Sequence, residues 1–354
     1  MTTPRTAAAI LPSRNEPATI AAVTTAVDTA LDDPQAVIVH TDSSDDPATA
    51  RHFAATPTRA RKISLTGVPR GKGTQILNAL AHLPGGTGPV LIADTDTRNP
   101  DPAVYRALLN LARTSGGCAT ANYPRYWDEA NLTSHLARPL IAATTGHDIP
   151  QPLAGDLALP ARAVRAALRA DLELAPDLAA AVDGYGIDAF LLLTGARTGP
   201  LSSVTLPTPK QHAASFPHLQ QIYDQAVPIL LALTTHQPQP RAAEALPAAR
   251  YRPAERQVTP DRLASMHAVL DKLAPAQAGY DAPPWPLPVA DAWQAVRSGT
   301  PPDQAARTLW PAYVDRVRTW LTAPPCGGRA ADLAAAHARL VTALTSRTAR
   351  SHTP

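Results

Sequence analysis

Two carboxylates one residue apart, Asp94 and Asp96, close the apolar run Pro89-Val90-Leu91-Ile92-Ala93. Such a run reads as a buried strand, and the carboxyl edge of an open α/β sheet is where ligands bind. Paired carboxylates at that edge suit a hard divalent cation, Mg²⁺ or Mn²⁺, which takes oxygen ligands and shares them between protein and phosphate. The same tripeptide also caps ordinary turns, so its meaning depends on what stands around it.

Other polar segments fall at comparable positions. Leu11-Pro12-Ser13-Arg14-Asn15-Glu16 follows the first strand; its turn, with Arg14 and Glu16, could hold the edge of a nucleobase, or Asn15 and Glu16 could simply start the next helix. After the second strand comes His40-Thr41-Asp42-Ser43-Ser44-Asp45-Asp46, in which Ser44–Asp46 suit a turn and helix cap while Thr41 stands nearest the strand end. Arg70-Gly71-Lys72-Gly73-Thr74 precedes a helix: glycines let a backbone approach an anion, and Lys72 adds a point charge for a phosphate. It is not a Walker A loop, because Gly67 is one residue too close to Gly71 and Gly73 stands where Ser or Thr is required. The bland alternative is a glycine turn with an exposed lysine. Gly184-Tyr185-Gly186-Ile187-Asp188 opens a helix over 187–195, where Asp188 also suits the positive end of the helix dipole. Lys210-Gln211-His212 follows a strand; Lys210 could pair a phosphate and His212 could join the Asp pair on a metal.

These segments must be carried by alternating strands and helices. Strands are expected at Ala7–Leu11, Ala36–His40, Lys62–Leu65, Pro89–Ala93, Cys118–Tyr123 and Ser202–Leu206. Helices are expected at Pro17–Leu31, shortly after Asp46, and at Thr74–Leu83, Pro102–Ala112, Ala130–Thr145 and Pro160–Asp171. A further helix over Ala213–Leu233 should bend near Pro217 and Pro228. Short apolar strands alternating with helices imply an α/β fold with a mostly parallel sheet covered on both faces. From about Gln237 prolines cluster up to 260; Asp281–Pro286 reads as a rigid loop, Ala305–Leu321 and Ala330–Leu344 as helices, and Ser346–Pro354 as a frayed end. The expected division is a domain over 1–235 and a Pro-rich, helical C-terminal extension over 236–354.

Composition narrows the class. The chain has 354 residues, 45% of them hydrophobic, so it can bury a large core. A net charge of +3 with dispersed basic residues is too small to argue for a nucleic-acid partner, and none is expected. Arg59-Ala60-Arg61-Lys62 runs into a strand and reads as its solvated entrance. Cys118 and Cys326, far apart and without a CxxC, point away from zinc and from a disulfide scaffold. No signal peptide is read at the N-terminus, and no apolar run reaches the roughly 18 residues a bilayer span needs. A cytoplasmic protein without membrane contact is expected.

Taken in order, these pieces resemble one family, the glucosyl-3-phosphoglycerate synthases with the related mannosylglycerate synthases, which are retaining glycosyltransferases of the GT-A fold. The resemblance covers about residues 7–235. It rests on Leu-Pro-x-x-Asn-Glu (11–16), Gly-Lys-Gly (71–73), Asp-x-Asp (94–96), Ala-Arg-Pro-Leu (137–140), Gln-Pro-Leu-x-Gly (151–155), Gly-Tyr-Gly-x-acid (184–188) and Lys-x-His (210–212).

The resemblance implies a UDP- or GDP-hexose donor, Mg²⁺ or Mn²⁺, and a small polar acceptor, with a homodimer as one possible assembly. By matching positions, Pro12, Arg14 and Glu16 line the base pocket, Thr41 lies near the nucleoside, and Lys72, Asp94 and Thr95 serve the donor. Asp96 and His212 ligate the metal, with Asp94 as a further ligand or in the shell around it. Tyr185 and Asp188 face the sugar, the family having Glu at the latter position, and Lys210 stabilises the charge on the departing diphosphate. The family's acceptor motif, Gly-Arg-x-Thr, is here Ala130-Asn131-Leu132-Thr133: Thr133 is kept, but Asn131 stands where the acceptor-binding Arg should be, which disfavours phosphoglycerate. Two other readings remain open: a nucleotidyltransferase, which would release pyrophosphate, and a non-catalytic nucleotide-sugar-binding protein.

Overall fold

A computed structural model describes residues 6–84, 86–129, 131–235, 250, 252–274, 284–322 and 328–350. The readings placed on Ala130, 236–249, 281–283, Cys326 and the last residues, 351–354, lie outside those described. Contacts divide the chain into two compact units, 1–123 with 153–213, and 124–152 with 214–354.

The first unit is a seven-stranded sheet in the order β3-β2-β1-β4-β6-β5-β7. Its strands are β1 (Ala8–Ser13), β2 (Val37–Asp42), β3 (Arg61–Thr66), β4 (Val90–Ile92), β5 (Cys118–Asn122), β6 (Leu157–Leu159) and β7 (Leu201–Thr205). All pair in parallel except β6, which runs antiparallel between β4 and β5. Every residue of β1 and β2 is buried, as a parallel strand covered on both faces must be. The helices of this unit are α1 (Ile20–Leu31), α2 (Ala48–Ala55), α3 (Lys72–Ala81), α4 (Pro102–Ser115), α6 (Ala161–Leu172), α7 (Pro176–Ala181) and α8 (Ile187–Ala196). The α/β architecture read from the sequence is present; β6 is the strand that reading lacked.

Local chemistry sets the helix ends. Asp101 accepts from the Ala103 amide at 2.8 Å, Pro102 takes the first position of α4, and the helix stops at Gly116, whose φ is +64°. Lys62 is more than a solvated strand entrance: its ammonium donates to the carbonyls of Phe53, Ala54 and Thr56 at 2.6–2.9 Å and so caps the C-terminal end of α2. Pro176–Ala196 is the one described helical stretch long enough, at 21 residues, and apolar enough on average to cross a bilayer, although Asp177, Asp183 and Asp188 interrupt its apolar run. Of its most apolar window 61% is buried, and Gly184 leaves helical geometry within it, so it packs as core.

The second unit is helical: α5 (Arg138–Thr145) preceded by a π-helical turn over Thr133–Ala137, then α9 (Leu219–Thr235), α10 (Pro260–Leu273), α11 (Leu287–Arg297), α12 (Pro302–Thr322) and α13 (Arg329–Arg350). The expected boundary at 235 differs from the observed division because α9 packs with the C-terminal helices. Tyr223 of α9 donates to the Ala306 carbonyl at 2.9 Å, meets Trp310 edge-to-face and packs tilted against Tyr313. Residues 124–152 join the same core, where Trp320 donates to the Trp127 carbonyl at 2.7 Å and His135 lies edge-on to Trp320. Pro228 sits inside α9, as expected, whereas Pro217 precedes it in a short 3₁₀ turn.

His40, read as part of a ligand-facing polar cluster, is instead fully buried against Phe53, between the Ser13 and Ser64 hydroxyls. Burial pulls its imidazole down to about 4 from 6.5. The unfolded chain therefore takes up this proton first, so the stability it contributes is complete above about pH 6.5 and is lost as pH falls toward 4. At 1.36 kcal/mol per unit the loss is about 3 kcal/mol. Denaturant melts between pH 7 and 4 should show it, and His40→Gln should flatten that part of the profile; an unchanged slope would contradict this assignment.

Candidate active site

The site grows from the carboxyl ends of β1, β4 and β7 and the start of β6. Asp94 follows β4, and its two carboxylate oxygens take different lysines: Lys72 reaches Oδ1 at 3.1 Å and Lys210 reaches Oδ2 at 2.9 Å. Each lysine is shared with a second carboxylate, Lys72 with Asp188 at 3.0 Å and Lys210 with Asp156 at 3.0 Å. Asp156 is fully buried and also accepts from the Asp94 amide at 3.0 Å and from the Tyr123 hydroxyl.

The electrostatics follow from burial competing with charge. Burial alone would raise the Asp94 carboxyl, but the ammoniums of Lys210 and Lys72 outweigh it and hold Asp94 well below the usual carboxylate range. Burial likewise works against charge on both lysines and is overcome by Asp188 and Asp94 at Lys72, and by Asp156 and Asp94 at Lys210. Asp188 is the exception: burial wins over the pull of Lys72 and pushes its carboxyl up to about 6. Three carboxylates share two ammoniums, so with Asp188 ionised the cluster carries surplus negative charge.

Asp96 and His212 are brought together by a splice between two loops. Arg98 donates its amide to the Gln211 carbonyl at 2.8 Å, the Gln211 amide donates to Asn99 Oδ1 at 2.8 Å, and the Ala213 amide donates to Asp96 Oδ2 at 3.2 Å. Burial and the Asp94 charge raise the Asp96 carboxyl, against the opposing pull of Lys210 and His212. Glu16 is raised by burial and by the Asp96 charge. No group of three or more His, Cys, Asp or Glu among the described residues is arranged to hold a metal alone. Asp96 and His212 would supply two ligands, leaving the rest to phosphate and water, as Mg²⁺ and Mn²⁺ accept. Asp94, with a lysine on each oxygen, is poorly placed to be a third.

The glycine turn has a different physical basis from the one read in the sequence. A Cβ on Gly73 would lie 1.7 Å from the Val182 carbonyl oxygen and one on Gly71 2.3 Å from that of Asp183. Both glycines let α3 dock against the π-helical turn Val182–Gly186, which brings Lys72 to Asp188. Tyr185 lies half-buried in that turn and Asp188 in the first turn of α8.

At β1 and β2, Asn15 adopts a φ of +59°, and its amide and side chain bond Ser44 and Asp45. Arg14 is exposed beside Asp45, Pro12 is buried with its carbonyl accepting from Thr95 Oγ1 at 2.7 Å, and α1 starts only at Ile20. Thr95 is thus turned into the sheet. Thr41 is also fully buried, its hydroxyl without a partner among the described residues. Asn131 and Thr133 belong to the second unit and are buried there, with 4% and 8% exposure.

No protein-family model matches the chain, and no curated protein matches it in sequence. Solved structures do match. Glucosyl-3-phosphoglycerate synthase from Mycobacterium tuberculosis, in complex with Mn²⁺, UDP and phosphoglyceric acid, is 25% identical, with a TM-score of 0.50 over 65% of this chain and 78% of that one. A structure of the same enzyme with Mg²⁺ and UDP gives 25% identity and a TM-score of 0.50 over 65% of this chain and 79% of that one. The chain is a glycosyltransferase similar to glucosyl-3-phosphoglycerate synthase.

For this glycosyltransferase, sequence reasoning named Lys72, Asp94, Asp188 and Lys210, and the structure brings them into one cluster. It missed Asp156 and Tyr123. The available signal was the acid opening the apolar run Asp156-Leu157-Ala158-Leu159 directly after Gly155. Space at that glycine is tight: a Cβ there would lie 2.1 Å from both Asp94 carboxylate oxygens, so the carboxylate would have to shift. Gly155→Ala should therefore push Asp94 off its lysines and cost about 1–3 kcal/mol, as overpacking does. A melting temperature equal to wild type would show that Asp94 is not held as described.

Proposed function

We propose that this glycosyltransferase moves a hexosyl group from a nucleoside diphosphate sugar to a small hydroxylated acceptor, with retention at the anomeric carbon, and that it depends on Mg²⁺ or Mn²⁺. The observation that carries the reading is the Asp94 carboxylate bracketed by Lys72 and Lys210 at the sheet's carboxyl edge, next to Asp96 and His212. Each ammonium has a third N–H beyond its two carboxylate contacts, and with a divalent cation offsetting the carboxylates the pair would receive a second anionic group. UDP is the first candidate nucleotide, since the similar mycobacterial synthase binds it with Mn²⁺ or Mg²⁺.

In this reading Asp96 and His212 hold the cation, which would neutralise charge on the departing diphosphate. Lys210, and Lys72 beside it, stabilise that charge as it grows, which is binding directed at the transition state. Asp188 and Tyr185 face the sugar, and Asp188 can accept hydrogen bonds from its hydroxyls. Arg14, Glu16, Pro12 and Thr41 frame the nucleoside end, with Arg14 and Glu16 the members carrying reachable polar groups. Asn131 and Thr133 serve the acceptor by resemblance alone; the amide of Asn131 favours an acceptor with less charge than phosphoglycerate at that point. A cytoplasmic location belongs to the same reading.

Thermal melts with UDP, GDP, UDP-glucose, GDP-mannose and nucleoside triphosphates, each with and without Mn²⁺, test it. A ligand at 100 times its Kd stabilises the native state by about 2.7 kcal/mol. The expected result is a Mn²⁺-dependent rise in Tm with a nucleoside diphosphate or its sugar, abolished by Asp96→Ala and by His212→Ala. A rise with triphosphates only would instead indicate a nucleotidyltransferase, and no rise with any ligand would overturn the assignment.

A further inference from the structure

Among the charged groups to which the proposed reaction gives no role, Asp156 is the most deeply placed. It has no exposed surface and opens β6, the strand set antiparallel into an otherwise parallel sheet. Its oxygens divide their work. Oδ1 accepts from the Asp94 backbone amide at 3.0 Å, and Oδ2 accepts from Lys210 Nζ at 3.0 Å and from the Tyr123 hydroxyl. All three partners are donors, so only a group that accepts at both oxygens satisfies them; an amide of the same shape offers one accepting oxygen and presents N–H groups to the remaining donor. The Lys210 ammonium also lies 5.6 Å from the Tyr123 ring centroid. It is therefore held by Asp94, by Asp156 and by the face of Tyr123, with 3% of its side chain exposed.

We propose that Asp156, oriented by Tyr123, is a positioning residue for transfer: it keeps the Lys210 ammonium aimed at the site and the Asp94 backbone in register. Asp94 is shared between two lysines and lies at the site's surface, with 25% of its side chain exposed, whereas Asp156 is sealed beneath it. When an anionic ligand competes with Asp94 for Lys210, Asp156 is the partner that stays. A lysine has three N–H donors; with one committed to Asp156, the others can pass between Asp94 and a ligand oxygen while the nitrogen stays in place. Burying a carboxylate this completely is tolerable because every lone pair that matters is matched, and removal of its charge leaves donors without acceptors.

The inference rests on the proposed reaction for its kinetic consequence but not for its geometry, and the test separates the two. The chain has four lysines, Lys62, Lys72, Lys210 and Lys272, so protein labelled with ¹³C at lysine Cε gives few signals, and Lys210→Arg assigns the one in question. At fixed pH 7 and without ligand, Asp156→Asn and Tyr123→Phe should both move the Lys210 signal while those of Lys62 and Lys272 stay in place. Tyr123→Phe removes a single hydroxyl and keeps the arm informative if Asp156→Asn fails to fold. With UDP-glucose and Mn²⁺ as the probe, both variants should lower kcat for consumption of the donor, Asp156→Asn by roughly 10- to 100-fold, with KM within about threefold of wild type. A Lys210 signal unmoved in Tyr123→Phe and in folded Asp156→Asn overturns the assignment, as does a loss confined to KM. If wild type neither binds UDP with Mn²⁺ nor consumes UDP-glucose, the proposed reaction falls and the lysine signals alone decide the role of Asp156.

Discussion

Asp94 accepts an ammonium on each oxygen, with 18% of the Lys72 side chain and 3% of the Lys210 side chain exposed. A charge withdrawn from water in this way is stable only when each partner is matched and held. That requirement reaches outward through the first unit. Lys72 can arrive only because Gly71 and Gly73 let α3 press on the backbone of 182–183. Lys210 can arrive only because the loop after β7 is spliced to the loop after β4. Asp94 itself fits only because residue 155 has no Cβ. The antiparallel β6 supplies Asp156 from below, at a point where another parallel strand would run the other way past Asp94.

The same arrangement explains why the site is poised for a cation and an anion together. Lys72 and Lys210 are outnumbered by Asp94, Asp156 and Asp188, with Asp96 close by. Asp188 belongs to that set, and burial, with the Asp94 charge behind it, raises its carboxyl to about 6. A divalent ion at Asp96 and His212 would offset that surplus, and a diphosphate would in turn offer the lysines an alternative to Asp94.

Much of this was legible in the chain. Strand ends followed by Asp, Lys or His mark the carboxyl edge of an α/β sheet, and Lys72, Asp94, Asp188 and Lys210 were read from that pattern and from a family resemblance. What escaped did so for physical reasons. β6 is three residues long, too short for any periodicity, so its leading Asp156 looked like a loop residue. Burial of His40 depends on Phe53 of α2 packing against it, which no local pattern states. The division into units was hidden because 124–152 leaves the first core and packs with α12 through Trp127, His135 and Trp320, contacts between residues far apart in sequence. The glycines at 71 and 73 were noticed, but their close approach to the backbone of 182 and 183 joins segments more than a hundred residues apart.

The most direct measurement is a crystal structure with UDP and Mn²⁺ bound. The account predicts Mn²⁺ on Asp96 and His212 with phosphate oxygens completing its shell, and at least one of Lys72 and Lys210 turned from Asp94 to a phosphate oxygen while Lys210 keeps its contact with Asp156. Nucleotide bound with both lysines still closed on Asp94, or Mn²⁺ bound away from Asp96 and His212, would contradict it.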